Sequence, residues 1–222
     1  MRFIFITRSL IFLFFFSAVS CKNSKTESLF ESNSSSDNLS PIVIDACSLI
    51  NESSESVINV DQPLGGYTTR TKNNIKFEFK ELVSPYEVTA ASFSKAGNHD
   101  LLVSYLSKQD KVIIQIYVTT IPVDMRGEVE DFFDSDTKFN SFVNAISNKG
   151  EVIEKRIVRV NDRKFIEIDW LNKDFLGNSQ RTIQWITFFK GSMINVSGTA
   201  HPDNFMKNLE AMMHFNCSLQ MQ

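Results

Sequence analysis

Beyond residue 64 the apolar positions mostly alternate with polar ones, and only a few stretches change to a helical spacing. Tyr67 to Thr71 and the alternating Ile75, Phe77 and Phe79 flank Asn73-Asn74, which predicts a hairpin. Leu101 to Leu106 and Val112 to Thr120 predict two more strands joined across Lys108 to Lys111. Val112, Ile114, Ile116 and Val118 share one face of the second. Val152 to Val160, a turn at Asn161-Asp162, and Lys164 to Trp170 form a further hairpin, with Ile166, Ile168 and Trp170 on one face. A loop over Asn172 to Asn178 leads to Thr182 to Phe189, and Lys190-Gly191-Ser192 turns the chain into Met193 to Ser197.

Helical spacing is clearest from Thr137 to Asn148, where Phe139, Phe142, Val143 and Ile146 make one apolar stripe. Ser135 or Asp136 suits its start, Lys149 its negative end, and Gly150 a left-handed stop. A last helix is expected from Pro202 to Phe215, buried along Phe205, Leu209, Met212 and Met213. A short one is expected from Asn51 to Asn59, with Asn51 as its cap. Short turns between strands imply antiparallel pairing. The expected fold is therefore α+β: an antiparallel sheet of about six to eight strands packed against two or three helices.

The first 20 residues follow another rule. Arg2 and Arg8 precede twelve uncharged, mostly apolar residues, Ser9 to Ser20, a length suited to a signal peptide and short of a membrane span. This leader holds six of the 20 Phe, so the remaining chain is less aromatic than the bulk composition suggests. From Lys22 to Asp45, seven of 24 residues are Ser and apolar anchors are few, the composition of a tether. The expected division is a signal peptide over 1–20, a Cys and tether over 21–45, and one α+β domain over 46–222. Net charge is −3, and removal of Arg2 and Arg8 with the leader takes it to −5. A general electrostatic grip on nucleic acid is thereby excluded.

Candidate chemistry is thin. His99, His201 and His214 stand at unrelated spacings, and there is no Cys-x-x-Cys, Gly-x-Ser-x-Gly or phosphate-cradling glycine loop. No catalytic residue, metal or cofactor is therefore expected. Glu128, Glu130, Asp131, Asp134 and Asp136 form the densest acidic run. An EF-hand fails there, because Lys138 sits at the fifth loop position and no Gly follows. Lys155, Arg156, Arg159, Arg163 and Lys164 make a basic hairpin interleaved with acids, which reads first as a solvated strand face and second as a surface for an acidic partner. Trp170 and Trp185, with Phe188, are candidates for a ligand groove or for core. The residues singled out for a ligand or partner surface are Trp170, Trp185, Phe188, Arg156, Arg159 and Arg163. An odd count of three Cys leaves one unpaired in an exported protein. If Cys21 is otherwise engaged, Cys47 and Cys217 remain either as a disulfide or as two buried thiols.

Three resemblances sharpen this reading. Ser17-Ala18-Val19-Ser20-Cys21 resembles the bacterial lipobox, which implies lipid on Cys21 and cleavage before it. Ala18 stands where the commonest form has Leu, and Ala18-x-Ser20 also suits ordinary signal peptidase I. Lys22, rather than Asp, after the Cys implies the outer membrane in lipoproteins of enteric type. The run Val160-Asn161-Asp162-Arg163-Lys164-Phe165, the hairpin from Thr182 to Gly198 and the final helix resemble PsbP-like and DcrB-like domains over about Ala90 to Leu219. That resemblance implies a mostly non-catalytic subunit, adaptor or chaperone. Asp45 to Ile50 is similar to the Cys-Ser-Leu opening of other bacterial lipoprotein domains, in which the Cys pairs with a distant one. The expected protein is lipid-anchored in the outer membrane facing the periplasm, a binding module for another envelope protein. The alternatives are an envelope enzyme using the acidic run, or a carrier with an apolar cavity of about 300 Å³ near Trp185.

Overall fold

Three hairpin turns have both central residues at positive φ: Asn73-Asn74 (52° and 61°), Asn161-Asp162 (47° and 64°) and Lys190-Gly191 (47° and 70°). This is the conformation whose twist matches paired strands. The computed structural model describes residues 44–48, 64–89, 99–129, 131–147, 150–174 and 176–222. All of these belong to the unit Ser40–Gln222. The leader, Cys21, most of the expected tether and the expected helix at Asn51 to Asn59 lie outside the described residues.

In chain order the strands are β1 (Ile44–Asp45), β2 (Leu64–Lys72), β3 (Ile75–Leu82), β4 (Glu87–Val88), β5 (His99–Ser107) and β6 (Val112–Thr120). They continue as β7 (Glu151–Val160), β8 (Arg163–Lys173), β9 (Ser179–Phe189), β10 (Ser192–Ala200) and β11 (Gln220–Met221). A 3₁₀ segment, Val123–Glu128, precedes helices α1 (Asp131–Asp134) and α2 (Asp136–Ser147), and α3 spans Pro202–Ser218. The large sheet runs β1-β7-β8-β9-β10-β6-β5-β4, and a second sheet runs β11-β3-β2.

The α+β class is as expected, but the sheet arrangement differs in two ways. The β2–β3 hairpin does not join the large sheet. Its Ile75, Phe77 and Phe79 instead pack against that sheet's face as part of one core with Ile114, Ile116, Trp185, Val196 and α3. β1 adds a parallel edge, with Ile44 opposite Val158 and Asp45 opposite Arg159. The chain therefore joins the fold just ahead of the expected boundary at residue 46.

The β7–β10 meander is buried on both faces. On the side away from α3, Ile157, Ile166, Ile168 and Ile186 meet Phe133 of α1 and Val143 of α2. Ser135 begins α2 by accepting the Lys138 N–H at 3.4 Å. Gly150 is not the left-handed stop expected of it, since only Gly177 and Gly191 have positive φ among the described glycines. Its reason is space: a Cβ there would lie 2.3 Å from the Trp170 ring and 2.8 Å from the Leu171 carbonyl oxygen.

Helix α3 crosses the other face, closest at Gly198, where a Cβ would meet Met212 Sδ at 2.4 Å. It runs three residues past the expected end. Its buried residues are Phe205, Asn208, Ala211, Met212, Phe215, Asn216 and Ser218, while Leu209 and Met213 are half-buried. Asn208 is inside because the Tyr86 hydroxyl donates to its Oδ1 at 2.8 Å. Burial, with Asp110 nearby, pushes that phenol up to about 12. Phe215 stands edge-on to both Phe79 and Tyr105.

Cys47 and Cys217 form a disulfide, with Cα atoms 5.7 Å apart and 170 positions between them in sequence. A loop of that length confers about 2–4 kcal/mol, up to about 5 in the chain-entropy limit. Cys217→Ser is therefore expected to lower the unfolding free energy in urea by about 2–4 kcal/mol. Reductant is expected to shift the wild-type midpoint by the same amount and to leave the variant unchanged.

Candidate functional site

The two-residue turn at Asn161-Asp162 places Val160 opposite Arg163, and that register puts Arg156 opposite Glu167. β9 continues the row with Trp185 opposite Glu167. The three side chains meet. Arg156 Nη2 lies 2.7 Å from Glu167 Oε1, and Trp185 Nε1 donates to Glu167 Oε2 at 2.7 Å. Glu167 is 3 % exposed and Trp185 1 %. Arg156 Nη1 also donates to Glu154 at 2.9 Å, which leaves its Nε buried without a partner.

One row away, Arg181 grips Asp169 with two bonds, Nε to Oδ1 at 3.0 Å and Nη2 to Oδ2 at 2.6 Å. The Arg181 guanidinium lies 4.4 Å from the centre of the Phe205 ring on α3. Two carboxylates of one strand are thus buried beside two arginines from its neighbours. Burial holds the Glu167 carboxyl above its usual range and outweighs the opposing pull of Arg156 and of the Trp185 donor.

The residues expected to form one ligand or partner surface are dispersed. Arg156 and Trp185 come together, but Trp185 is core rather than surface. Trp170 and Phe188 lie on the opposite face of the sheet, under α1 and α2. Phe188 packs against Phe132, Phe133 and Phe142 at centroid distances of 5.7, 5.9 and 5.8 Å. Arg159 is exposed. Arg163 lies at the end of the hairpin, its guanidinium 3.8 Å from the Phe189 ring centre. Trp185 belongs to one core cluster with Phe165, Ile183 and Val196.

Glu130 lies outside the described residues, and the described members of the acidic run do not converge on a site. Glu128, Asp131, Asp134 and Asp136 are all exposed. Asp131 pairs with Lys138, and Asp134 with Lys164 at 3.1 Å. Among the described residues no group of three or more His, Cys, Asp or Glu side chains is placed to hold a metal ion. His201 caps α3, its Nδ1 accepting from the Asp203 N–H at 3.3 Å. His214 faces Glu210 one turn earlier at 3.4 Å.

A cleft of about 310 Å³ opens between the β7–β8 turn and the C-terminal strand. It is lined by Val160, Asn161, Asp162, Arg163, Leu219, Gln220, Met221 and Gln222. Asn161 Nδ2 spans it, donating to the Cys217 and Leu219 carbonyls at 2.9 and 2.8 Å. Of its lining residues, Arg163 alone was singled out from the sequence.

No protein-family model matches the chain, and no curated protein does. Similar solved structures include the cyanobacterial PsbP, CyanoP, of Synechocystis sp. PCC 6803, at 13 % identity and a TM-score of 0.49, covering 75 % of this chain and 98 % of that one. LpqN of Mycobacterium tuberculosis, described as involved in cell envelope biogenesis, is similar at 8 % identity and a TM-score of 0.46, covering 82 % and 99 %. A protein of unknown function from Pseudomonas aeruginosa follows at 9 % identity and a TM-score of 0.37, covering 66 % and 91 %. All three likenesses are partial and concern chain path alone.

The buried pair makes a signed prediction. A carboxyl whose folded value lies above its unfolded value binds protons preferentially in the folded state, so its contribution grows as pH falls through the folded value toward the unfolded one. Between neutral pH and the ordinary carboxylate range, the wild type is expected to gain urea stability relative to Glu167→Gln. A wild type that instead loses ground on acidification would show that the Arg156 attraction dominates over burial.

Proposed function

We propose that the chain is a lipid-anchored protein of a bacterial cell envelope, and that its folded part is a non-catalytic binding module for another envelope protein. The observation that carries this reading is Ser17-Ala18-Val19-Ser20-Cys21 at the end of an uncharged twelve-residue apolar stretch. Lipid on Cys21 moors the protein, Lys22 to Val43 supply reach, and the domain meets its partner away from the bilayer. A second and third acyl chain make such attachment durable where one alone is marginal. Lys22 favours the outer membrane, with the domain in the periplasm.

The internal chemistry fits a binding role. The two buried carboxylates of β8 are engaged by arginines in the same sheet, which leaves no nucleophile–base pair with them. Among the described residues no helix is long and apolar enough to cross a membrane, so this reading assigns attachment to Cys21. An acidic mature charge argues for a protein partner over a nucleic acid.

Labelling cells with an alkyne-tagged fatty acid is expected to mark the wild-type protein, and Cys21→Ala is expected to abolish the mark. Persistent labelling of the variant places the lipid elsewhere and overturns the anchor. Crosslinking of the intact protein in cells is expected to recover one envelope protein repeatedly, and recovery without any recurrent partner overturns the binding role.

A further inference from the structure

The C-terminal strand turns one backbone amide into the cleft described above. Gln222 exchanges both of its hydrogen bonds with Lys76 of β3, donating at 2.9 Å and accepting at 3.0 Å. In an antiparallel pair the next residue points its N–H and C=O the other way. Met221 therefore faces away from β3 and toward the β7–β8 turn. The Met221 carbonyl accepts there from Arg163 Nη2 at 3.4 Å, and the Leu219 carbonyl from Asn161 at 2.8 Å. Both outward carbonyls are thus occupied by the turn, whereas the Met221 N–H has no acceptor among the described residues.

Arg163 stands beside it as a second donor. Its guanidinium lies 3.8 Å from the centre of the Phe189 ring, and its bond to the Met221 carbonyl is long, so most of its N–H groups remain for a ligand. Val160, Leu219 and Met221 line the cleft as well, all three largely covered by their own neighbours. Asp162 stands at the rim, exposed at the tip of the turn.

We propose that this cleft binds a carboxylate. One carboxylate oxygen accepts the Met221 N–H, and the other accepts from Arg163. Two N–H donors aimed at one anion make charge-assisted bonds, the stronger kind. The rim carboxylate of Asp162 repels a second negative charge, so the site prefers a monoanionic carboxylate to phosphate. Such a group comes either from the C-terminus of a protein or from a free short-chain acid. The cleft is independent of the anchor: it stands whether or not Cys21 carries lipid, and its test never reads lipidation.

The test titrates the ¹⁵N-labelled full chain with N-acetyl-Gly-Ala-Leu as free acid, the same peptide as carboxamide, hexanoate, and inorganic phosphate. The free acid is expected to saturate and to shift the Met221 amide resonance. The carboxamide and phosphate are expected to bind at least about tenfold more weakly. Hexanoate binding as well as the peptide acid assigns a free acid, and binding of the peptide acid alone assigns a protein terminus. Both results support a carboxylate cleft. Arg163→Gln is expected to lose at least about tenfold in affinity with the urea midpoint retained. Asp162→Asn serves if Arg163→Gln does not fold. Asn tolerates the positive φ of that position, and the variant is expected to bind the peptide acid a few-fold more tightly and to admit phosphate. Equal binding of acid and carboxamide overturns the proposal, as does the absence of a Met221 shift with any ligand up to about 5 mM.

Discussion

The register set at Asn161-Asp162 is the constraint on which the rest of this fold depends. With Val160 opposite Arg163, Arg156 falls opposite Glu167, and Ile157 falls opposite Ile166 on the helix-covered side. A slip of one residue would carry Ile166 and Ile168 to the face of the ion pairs and bring Glu167 and Asp169 beneath α1 and α2. Both layers would then be lost together, because β8 is buried on both sides. Asn161 adds a second restraint. Its amide holds the Cys217 and Leu219 carbonyls, so the turn that aligns β7 with β8 also docks the end of α3.

The buried charges follow from that alignment. Glu167 and Asp169 sit on the same strand face as Phe165, under α3 and the small sheet, where a lone carboxylate would be costly. Arginines from both neighbouring strands offset this, and the Trp185 N–H completes the shell of Glu167. Replacing such a pair with apolar side chains is often neutral, whereas removing one partner is not. What the arrangement adds is selectivity among registers: only one pairing of β7, β8 and β9 leaves each charge with a partner.

Much of this is readable from residue order, and the omissions have physical causes. Counting four residues back from Val160 and four forward from Arg163 lands on Arg156 and Glu167, so the turn alone implies that contact. The Asp169–Arg181 pair is not implied in the same way, because the two meet diagonally: Asp169 stands opposite Ile183, and Arg181 opposite Leu171. Alternation in Ile75, Phe77 and Phe79 marks a strand with one buried face but does not say which sheet it joins. Two-residue strands such as β1 and β11 have no periodicity to detect, so the parallel edge and the cleft beside β11 are both invisible in the sequence. In α3 the apolar pattern favours Leu209 and Met213. Asn208 is buried in part because Tyr86, 122 positions away, supplies its hydrogen bond. Trp185 and Trp170 look alike in the sequence, and only the strand parity separates a core indole from one beneath α2.

The Cys47–Cys217 bond also defines a mechanical route. Tension entering through residues ahead of Ile44 reaches Cys47 after three peptide bonds, crosses to Cys217, and arrives two residues later at Leu219, on the lip of the cleft. That route is covalent from end to end and, past β1, bypasses both sheets. A load hung on the C-terminal strand would therefore reach the N-terminal side through backbone and sulfur.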